Sequence, residues 1–139
     1  MITQATANTI LNAFFGKASS INIASTCYIG LSTTQPTATG DNFSEPAAST
    51  GYSRTLIGMY NQGSTQMMDS ASEGTISNGS NIIFFPEATA TWGTISYFGI
   101  FTSKSDGKPI MWGALTTPIS VPSGYIPIFR AGALNVSLQ

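Results

Sequence analysis

Three strand-like runs in this chain are apolar on both faces, and that limits its possible folds more than any other feature. In Trp92–Phe101 one face carries Trp92, Phe98 and Ile100, and the other carries Ile95, Tyr97 and Phe101. In Pro109–Leu115, Ile110 and Trp112 oppose Met111 and Leu115, and in Asn81–Phe85, Ile82 and Phe84 oppose Ile83 and Phe85. A sheet with one wet face alternates apolar and polar residues. These runs do not, so something has to cover their second face: an amphipathic helix, a second sheet or another chain. Glycines at 93, 99 and 113 within the same runs point to close approach of a backbone or a large side chain.

The rest of the chain supports an all-β reading. Further short runs are Ser25–Ser32, Tyr52–Tyr60, Gly74–Ser77, Ile119–Val121, Tyr125–Phe129 and Ala133–Leu138. Between the runs lie Asn78-Gly79, Asp106-Gly107, Pro118, Pro122-Ser123-Gly124 and Ala131-Gly132, all turn formers. Many short strands punctuated in this way argue for a sandwich or barrel. Ser105-Asp106-Gly107-Lys108, between two strong strands, is the clearest hairpin signal. The expected fold is an antiparallel β-sandwich, jelly-roll-like, with one short N-terminal helix. Its core should include Tyr28, Leu31, Phe84, Trp92, Phe98, Ile100, Trp112, Leu115 and Leu134.

The helix is expected over residues 4–15. Ala7, Ile10, Leu11, Phe14 and Phe15 fall at i, i+3, i+4, i+7 and i+8, one apolar stripe. Thr3 can cap its start and Gly16 can end it, and Lys17 suits the dipole at its C-terminus. A stripe ending in two phenylalanines has to dock, either on its own domain or on a neighbouring subunit. With 139 residues, the chain suits a single domain: the helix at 4–15, a Ser-rich link, and the sandwich over 25–139.

Charge is the next constraint. Charged residues make up 8% of the chain and the net charge is −1, whereas ordinary soluble domains are about 25% charged. Ser and Thr supply about a quarter of the residues instead. A surface so short of charge is poorly soluble as a free monomer and suits burial against other subunits. The cations Lys17, Arg54, Lys104, Lys108 and Arg130 are dispersed, so no basic patch exists to hold nucleic acid. No apolar run is long enough to cross a membrane as a helix. The first residues lack the basic region of a secretory signal, so assembly in a cytoplasm is expected.

Little chemistry is available. The chain has no histidine, which removes the commonest general base and metal ligand. Asp69 and Glu73 form the best candidate carboxylate pair, but they sit in a polar, loop-like stretch and read as solvated charges. Asp41-Asn42-Phe43-Ser44-Glu45 lacks the ligand alternation of a calcium loop. Cys27 reads as a small buried hydrophobe, and Trp92 and Trp112 as core or interface anchors. The expectation is a non-enzyme with no cofactor and no metal. The interface candidates are Phe14 and Phe15 on the helix, and Ile95, Tyr97, Phe101 and Met111 on second strand faces. Arg54 and Arg130 complete the set, each expected to pair with a carboxylate or backbone carbonyls at an interface or loop base. Phe43, Tyr52 and Tyr60, in or near loops, are candidates for stacking on a glycan.

Several segments, in order, resemble short virion proteins of tailed bacteriophages commonly labelled "tail fibre protein". They are Tyr28-Ile29-Gly30-Leu31-Ser32-Thr33-Thr34-Gln35-Pro36, Ser44-Glu45-Pro46, Gly51-Tyr52-Ser53-Arg54, Ile76-Ser77-Asn78 and Ile82-Ile83-Phe84-Phe85-Pro86. The longest, Trp92-Gly93-Thr94-Ile95-Ser96-Tyr97-Phe98-Gly99-Ile100-Phe101, is followed by Gly113-Ala114-Leu115-Thr116 and Ala131-Gly132-Ala133-Leu134-Asn135-Val136-Ser137-Leu138. The resemblance implies a structural place in the virion, with other virion proteins and copies of the chain as partners, and it carries over no catalytic residue. The chain has neither a shaft nor heptads. Its expected role is therefore a capsid decoration or cement subunit, with a tail fibre or tail-tip component that binds a host glycan as the alternative.

Overall fold

The computed structural model describes residues 1–17, 25–59 and 66–138. The Ser-rich link at 18–24 and the polar stretch at 60–65, including Tyr60, lie outside the described residues. The elements are α1 (Gln4–Phe14), β1 (Thr26–Ser32), a 3-10 turn (Ala48–Thr50), β2 (Thr55–Met59), β3 (Thr75–Ser77), β4 (Ile83–Phe84), β5 (Gly93–Phe101), β6 (Met111–Val121), β7 (Ile128–Phe129) and β8 (Asn135–Ser137). The fold is all-β with one short N-terminal helix, and every strand pairing described is antiparallel. The strands form one four-stranded sheet, ordered β2-β1-β5-β6, and the two-stranded ladders β3-β8 and β4-β7. These pairings do not make up the two full sheets of a jelly roll.

The central sheet is held by the two-faced strands. Ile29 pairs with Ile100 and Leu31 with Phe98, and residues directly opposite in an antiparallel pair share a face. That face meets Ile57, Ile83, Phe85, Trp92, Val121 and Leu134 in the core. The other face carries the pairs Tyr28–Phe101 and Gly30–Gly99. It is covered by neither the helix nor a second sheet, but by the loop between β1 and β2. Phe43 from that loop meets Phe101 edge-on, with ring centroids 5.1 Å apart. Gly99 is needed there: a Cβ on it would stand 2.6 Å from the Phe43 ring. Gly113 similarly leaves room for Phe98, whose ring would be 2.9 Å from an added Cβ. Gly93 is different; it serves a backbone with φ +81°.

β5 and β6 form the expected hairpin, through a connection spanning residues 102–110 in which Asp106 and Gly107 take φ values of 62° and 73°. The two runs expected at Pro109–Leu115 and Ile119–Val121 are one strand, β6. Tyr97 pairs with Ala114 and Ile95 with Ile119, so Leu115–Pro118 bulge out opposite Ser96. Pro118 has no N–H to give a ladder, and a bulge accommodates it without ending the strand.

The core differs from expectation at Phe84, which is exposed, and at Tyr28, which is half-buried on the opposite sheet face and outside the core cluster. Leu31, Trp92, Ile100, Trp112 and Leu134 are buried, while Phe98 and Leu115 are partly buried against the core and Tyr28 is half-buried. Phe84 is 58% exposed, and the buried positions of that run are Ile83 and Phe85. Ile83 pairs with Phe129 and Phe84 with Ile128, so the inner face takes the odd-numbered residues of the run. When both parities are apolar, the alternation cannot say which one points inward. Asn78 fastens this region. It is fully buried, its Nδ2 donates to the carbonyls of Asn81 and Arg130, and its Oδ1 accepts from the Leu134 N–H.

Candidate interaction surface

Among the described residues, exposed apolar side chains are concentrated in two places. The first is α1. Ile2 bridges to Met111, and the Thr3 N–H donates to Ile110 O. These contacts add a short segment to the β6 edge before the helix starts. Thr3 occupies the N-cap position, but its hydroxyl bonds Thr6 and Ile110 O rather than a helix N–H. Beyond Thr3 the helix buries none of its residues. Phe14 and Phe15 are each 76% exposed, and Leu11 is exposed beside them.

The second place is the outer face of the β4–β7 ribbon. Its ladder runs on past the named strands, through Phe85 N–H to Pro127 O and Ala88 N–H to Tyr125 O. Phe84 and Ile128 stand side by side on the outer face, with Ile82 and Ile126 exposed along it. A cleft of about 670 Å³ lies on the other side of the ribbon, between β7, the β6 bulge and the central sheet, lined by Leu31, Phe85, Phe98, Leu115, Phe129 and Arg130 among others. The bulge makes the cleft, because it lifts Leu115–Pro118 away from the regular ladder.

Of the expected interface residues, Phe14 and Phe15 stand free on α1. Ile95 and Phe101 lie inside the chain's own core, at 0% and 1% exposure. Ile95 sits beside the β5–β6 pairing irregularity and shares a buried cluster with Ile29 and Ile100; Phe101 is roofed by Phe43 and Arg54. Tyr97 and Met111 are half-buried, Tyr97 with its ring against Trp112. Arg130 is exposed at the rim of the cleft. The structure brings none of these residues together as one patch. The residues that do form one, Ile82, Phe84, Ile126 and Ile128, announce themselves in the sequence only through the two-faced character of Asn81–Phe85.

Arg54 is 5% exposed and sits at a loop base. Its Nε and Nη2 donate to Glu45 Oε1 and Oε2, and its Nη1 donates to the carbonyls of Ser103 and Asp106. The guanidinium lies 3.4 Å over the Phe101 ring. Tyr52 donates to the same Glu45 and accepts from the Leu31 N–H. Burial, then the charge of Glu45 and the bond to it, push the Tyr52 hydroxyl well above its ordinary pKa. The group is a structural clamp that ties the covering loop, β2 and the β5–β6 hairpin together.

The remaining chemical candidates are engaged or dispersed. Asp41 pairs with Lys108, which with Thr39 holds its carboxyl below the ordinary range. Asp69 packs its carboxylate against Gly79, while Glu73 sits in the turn before β3. Among the described residues no three Cys, Asp or Glu side chains gather as a metal site. Burial pushes the Cys27 thiol up to about 11, away from reactivity. Phe43 and Tyr52, considered for glycan stacking, spend their rings on Phe101 and Trp92.

Fold and surface together are those of a small, charge-poor all-β chain with two uncovered apolar surfaces among the described residues. The family model described as "Podophage GP4 fiber I protein gp80" matches residues 1–137, and the chain belongs to that family. It is a bacteriophage structural protein of the fibre type, a component of the virion that associates with other virion proteins. No curated protein matches the chain.

Proposed function

We propose that this chain is a non-enzymatic subunit of a podophage tail fibre, built into the particle through its own apolar surfaces. The observation that carries the reading is the pairing of an uncovered, Phe-tipped helix with an uncovered apolar ribbon face, in a chain matched to a fibre family along almost its whole length. Interfaces that hold assemblies together are depleted in charge at their centres, and both surfaces meet that condition. The family supports a fibre over the capsid decoration expected at first. The non-enzymatic part is supported by the absence of histidine and by the engagement of Asp41 with Lys108 and of Glu45 with Arg54. Synthesis and assembly in the host cytoplasm belong to the same proposal.

The test is labelling of purified virions with an antibody to this chain, viewed by electron microscopy. Label at the tail is the expected result. Label spread over the capsid would restore the decoration reading, and particles without the protein would overturn both. A host-glycan array probed with the oligomer tests the receptor-binding alternative; retained binding to one glycan class would reinstate it.

A further inference from the structure

We infer that Asn78-Gly79 is a spontaneous deamidation site that the folded chain holds shut, and that a chain deamidated there can no longer join its β3–β8 and β4–β7 ladders. The inference stands apart from the fibre reading. In a flexible chain, the backbone nitrogen of the residue after an asparagine attacks the side-chain carbonyl carbon, Cγ. A C–N bond forms, ammonia leaves, and a succinimide ring remains. Water then opens the ring at either carbonyl and gives Asp or isoAsp. The ring closes most readily where glycine follows, because no Cβ hinders the approach. Asn78-Gly79 is the one Asn-Gly pair in the sequence.

The fold needs both residues of this labile pair. Asn78 is fully buried. Its Nδ2 donates to the carbonyls of Asn81 and Arg130, and its Oδ1 accepts from the Leu134 N–H. Its backbone N–H donates to Leu134 O, and its carbonyl accepts from the Asn81 N–H. These bonds gather the end of β3, the approach to β4, the end of β7 and the approach to β8 around one residue. Aspartate cannot make them, because a carboxylate has no N–H to give. Gly79 follows with φ +49°, a conformation that strains a residue with a Cβ. A Cβ at that position would also run into the Asp69 carboxylate.

The same bonds hold the reaction back. Ring closure needs Cγ of Asn78 to swing onto the Gly79 nitrogen, and both atoms attached to that carbon are held elsewhere. The Gly79 N–H is itself engaged, donating to Ser77 Oγ. Water, which has to open the ring, does not reach a fully buried side chain. All of these obstacles go when the segment opens, so the reaction follows the open population. Its product then prevents closing. Asp at position 78 turns a carboxylate towards the carbonyls of Asn81 and Arg130, and a buried charge facing acceptors is strongly disfavoured. IsoAsp also lengthens the main chain between β3 and β4. Deamidation is thus a one-way exit for chains that linger unfolded before they enter a particle.

The experiment incubates the purified full-length protein at mildly alkaline pH, in native buffer and in guanidinium chloride. Residue 78 is followed by peptide mass spectrometry, with electron-transfer fragmentation to separate Asp from isoAsp. Deamidation of Asn78 should run at least about tenfold faster in the denaturant. Equal rates under the two conditions, or no reaction at Asn78 in the denatured chain, would overturn the inference. The denaturant is then removed and folded protein is separated from misfolded by size-exclusion chromatography. The folded fraction should hold Asn78 intact, and Asp and isoAsp should collect in the misfolded one. Deamidated chains folding in their starting proportion would overturn the inference as well. Asn78→Asp made directly should unfold at a lower urea concentration than the native protein, or fail to fold; an unchanged midpoint at neutral pH would count against it equally.

Discussion

Arg54 grips Glu45 with two parallel bonds, Nε to Oε1 and Nη2 to Oε2, each 2.8 Å long. The same guanidinium holds two carbonyls of the β5–β6 hairpin and covers Phe101. One side chain thus joins three segments that are distant in sequence. Removing one partner of a buried pair leaves the other charged and desolvated. Glu45 keeps a quarter of its side chain in water, which moderates the loss. Arg54→Ala should therefore cost about 2–4 kcal/mol in urea denaturation. Arg54→Lys should recover only part of it, because lysine lacks the fork. The exposed Lys108–Asp41 pair is the control: Lys108→Ala should leave the unfolding midpoint unchanged while the Asp41 carboxyl returns towards its ordinary pKa by NMR titration.

The trough under the covering loop predicts a second effect. Gly99→Ala places a Cβ 2.6 Å from Phe43 and 3.1 Å from Pro109. Overpacking of this kind costs about 1–3 kcal/mol. Pairing Gly99→Ala with Phe43→Leu should cost less than the sum of the two single substitutions, a coupling that a double-mutant cycle by thermal denaturation measures.

Alkali should destabilise the fold through two acids shielded by packing, half-buried Cys27 and buried Tyr52. The Cys27 pKa stands at about 11 in the folded chain against 9.0 as the ordinary value, and that of Tyr52 is raised above its ordinary 10.0. Between the unfolded and folded values the folded state holds the extra proton, so stability falls as pH rises. The Cys27 contribution is fully present below pH 9 and is lost on the way to about 11. Equilibrium unfolding from pH 8 to 11 should show the decline, and Cys27→Ala should remove its first part. In the native protein the thiol should react slowly with a disulfide reagent at pH 8.

Neighbouring residues of one strand should behave in opposite ways. Ile83 is 1% exposed and Phe84 is 58% exposed. Ile83→Ala should cost about 2–4 kcal/mol of stability, whereas Phe84→Ser should change monomer stability by less than about 0.5 kcal/mol. Analytical ultracentrifugation should show Phe84→Ser weakening self-association and Ile83→Ala affecting it only through unfolding. Equal destabilisation by both would mean that the outer face is packed within the chain.

Much of the fold was legible because it is written locally. The helix stripe, the Asp106-Gly107 turn and the strand runs each depend on neighbours a few residues apart, and the structure places them within a few residues of expectation. The need for cover over two-faced strands was legible as well. The identity of the cover was not: over β1 and β5 it is the Phe43 loop, which reads as polar and irregular. Nor was the single strand β6, because Pro118 looks like a turn until its partner strand shows the bulge.

By itself, then, the sequence determined an all-β chain with a short helix, poor in charge and carrying more apolar surface than one alternating sheet can hide. Only the tertiary structure decided where that surplus goes. Parity is ambiguous in a run such as Ile82–Phe85, and only the Phe84–Ile128 register turns Ile83 and Phe85 inward and leaves the other pair in water. Period-two patterning states how many faces are apolar. Which face is covered depends on contacts between residues tens of positions apart, and the pattern does not encode them.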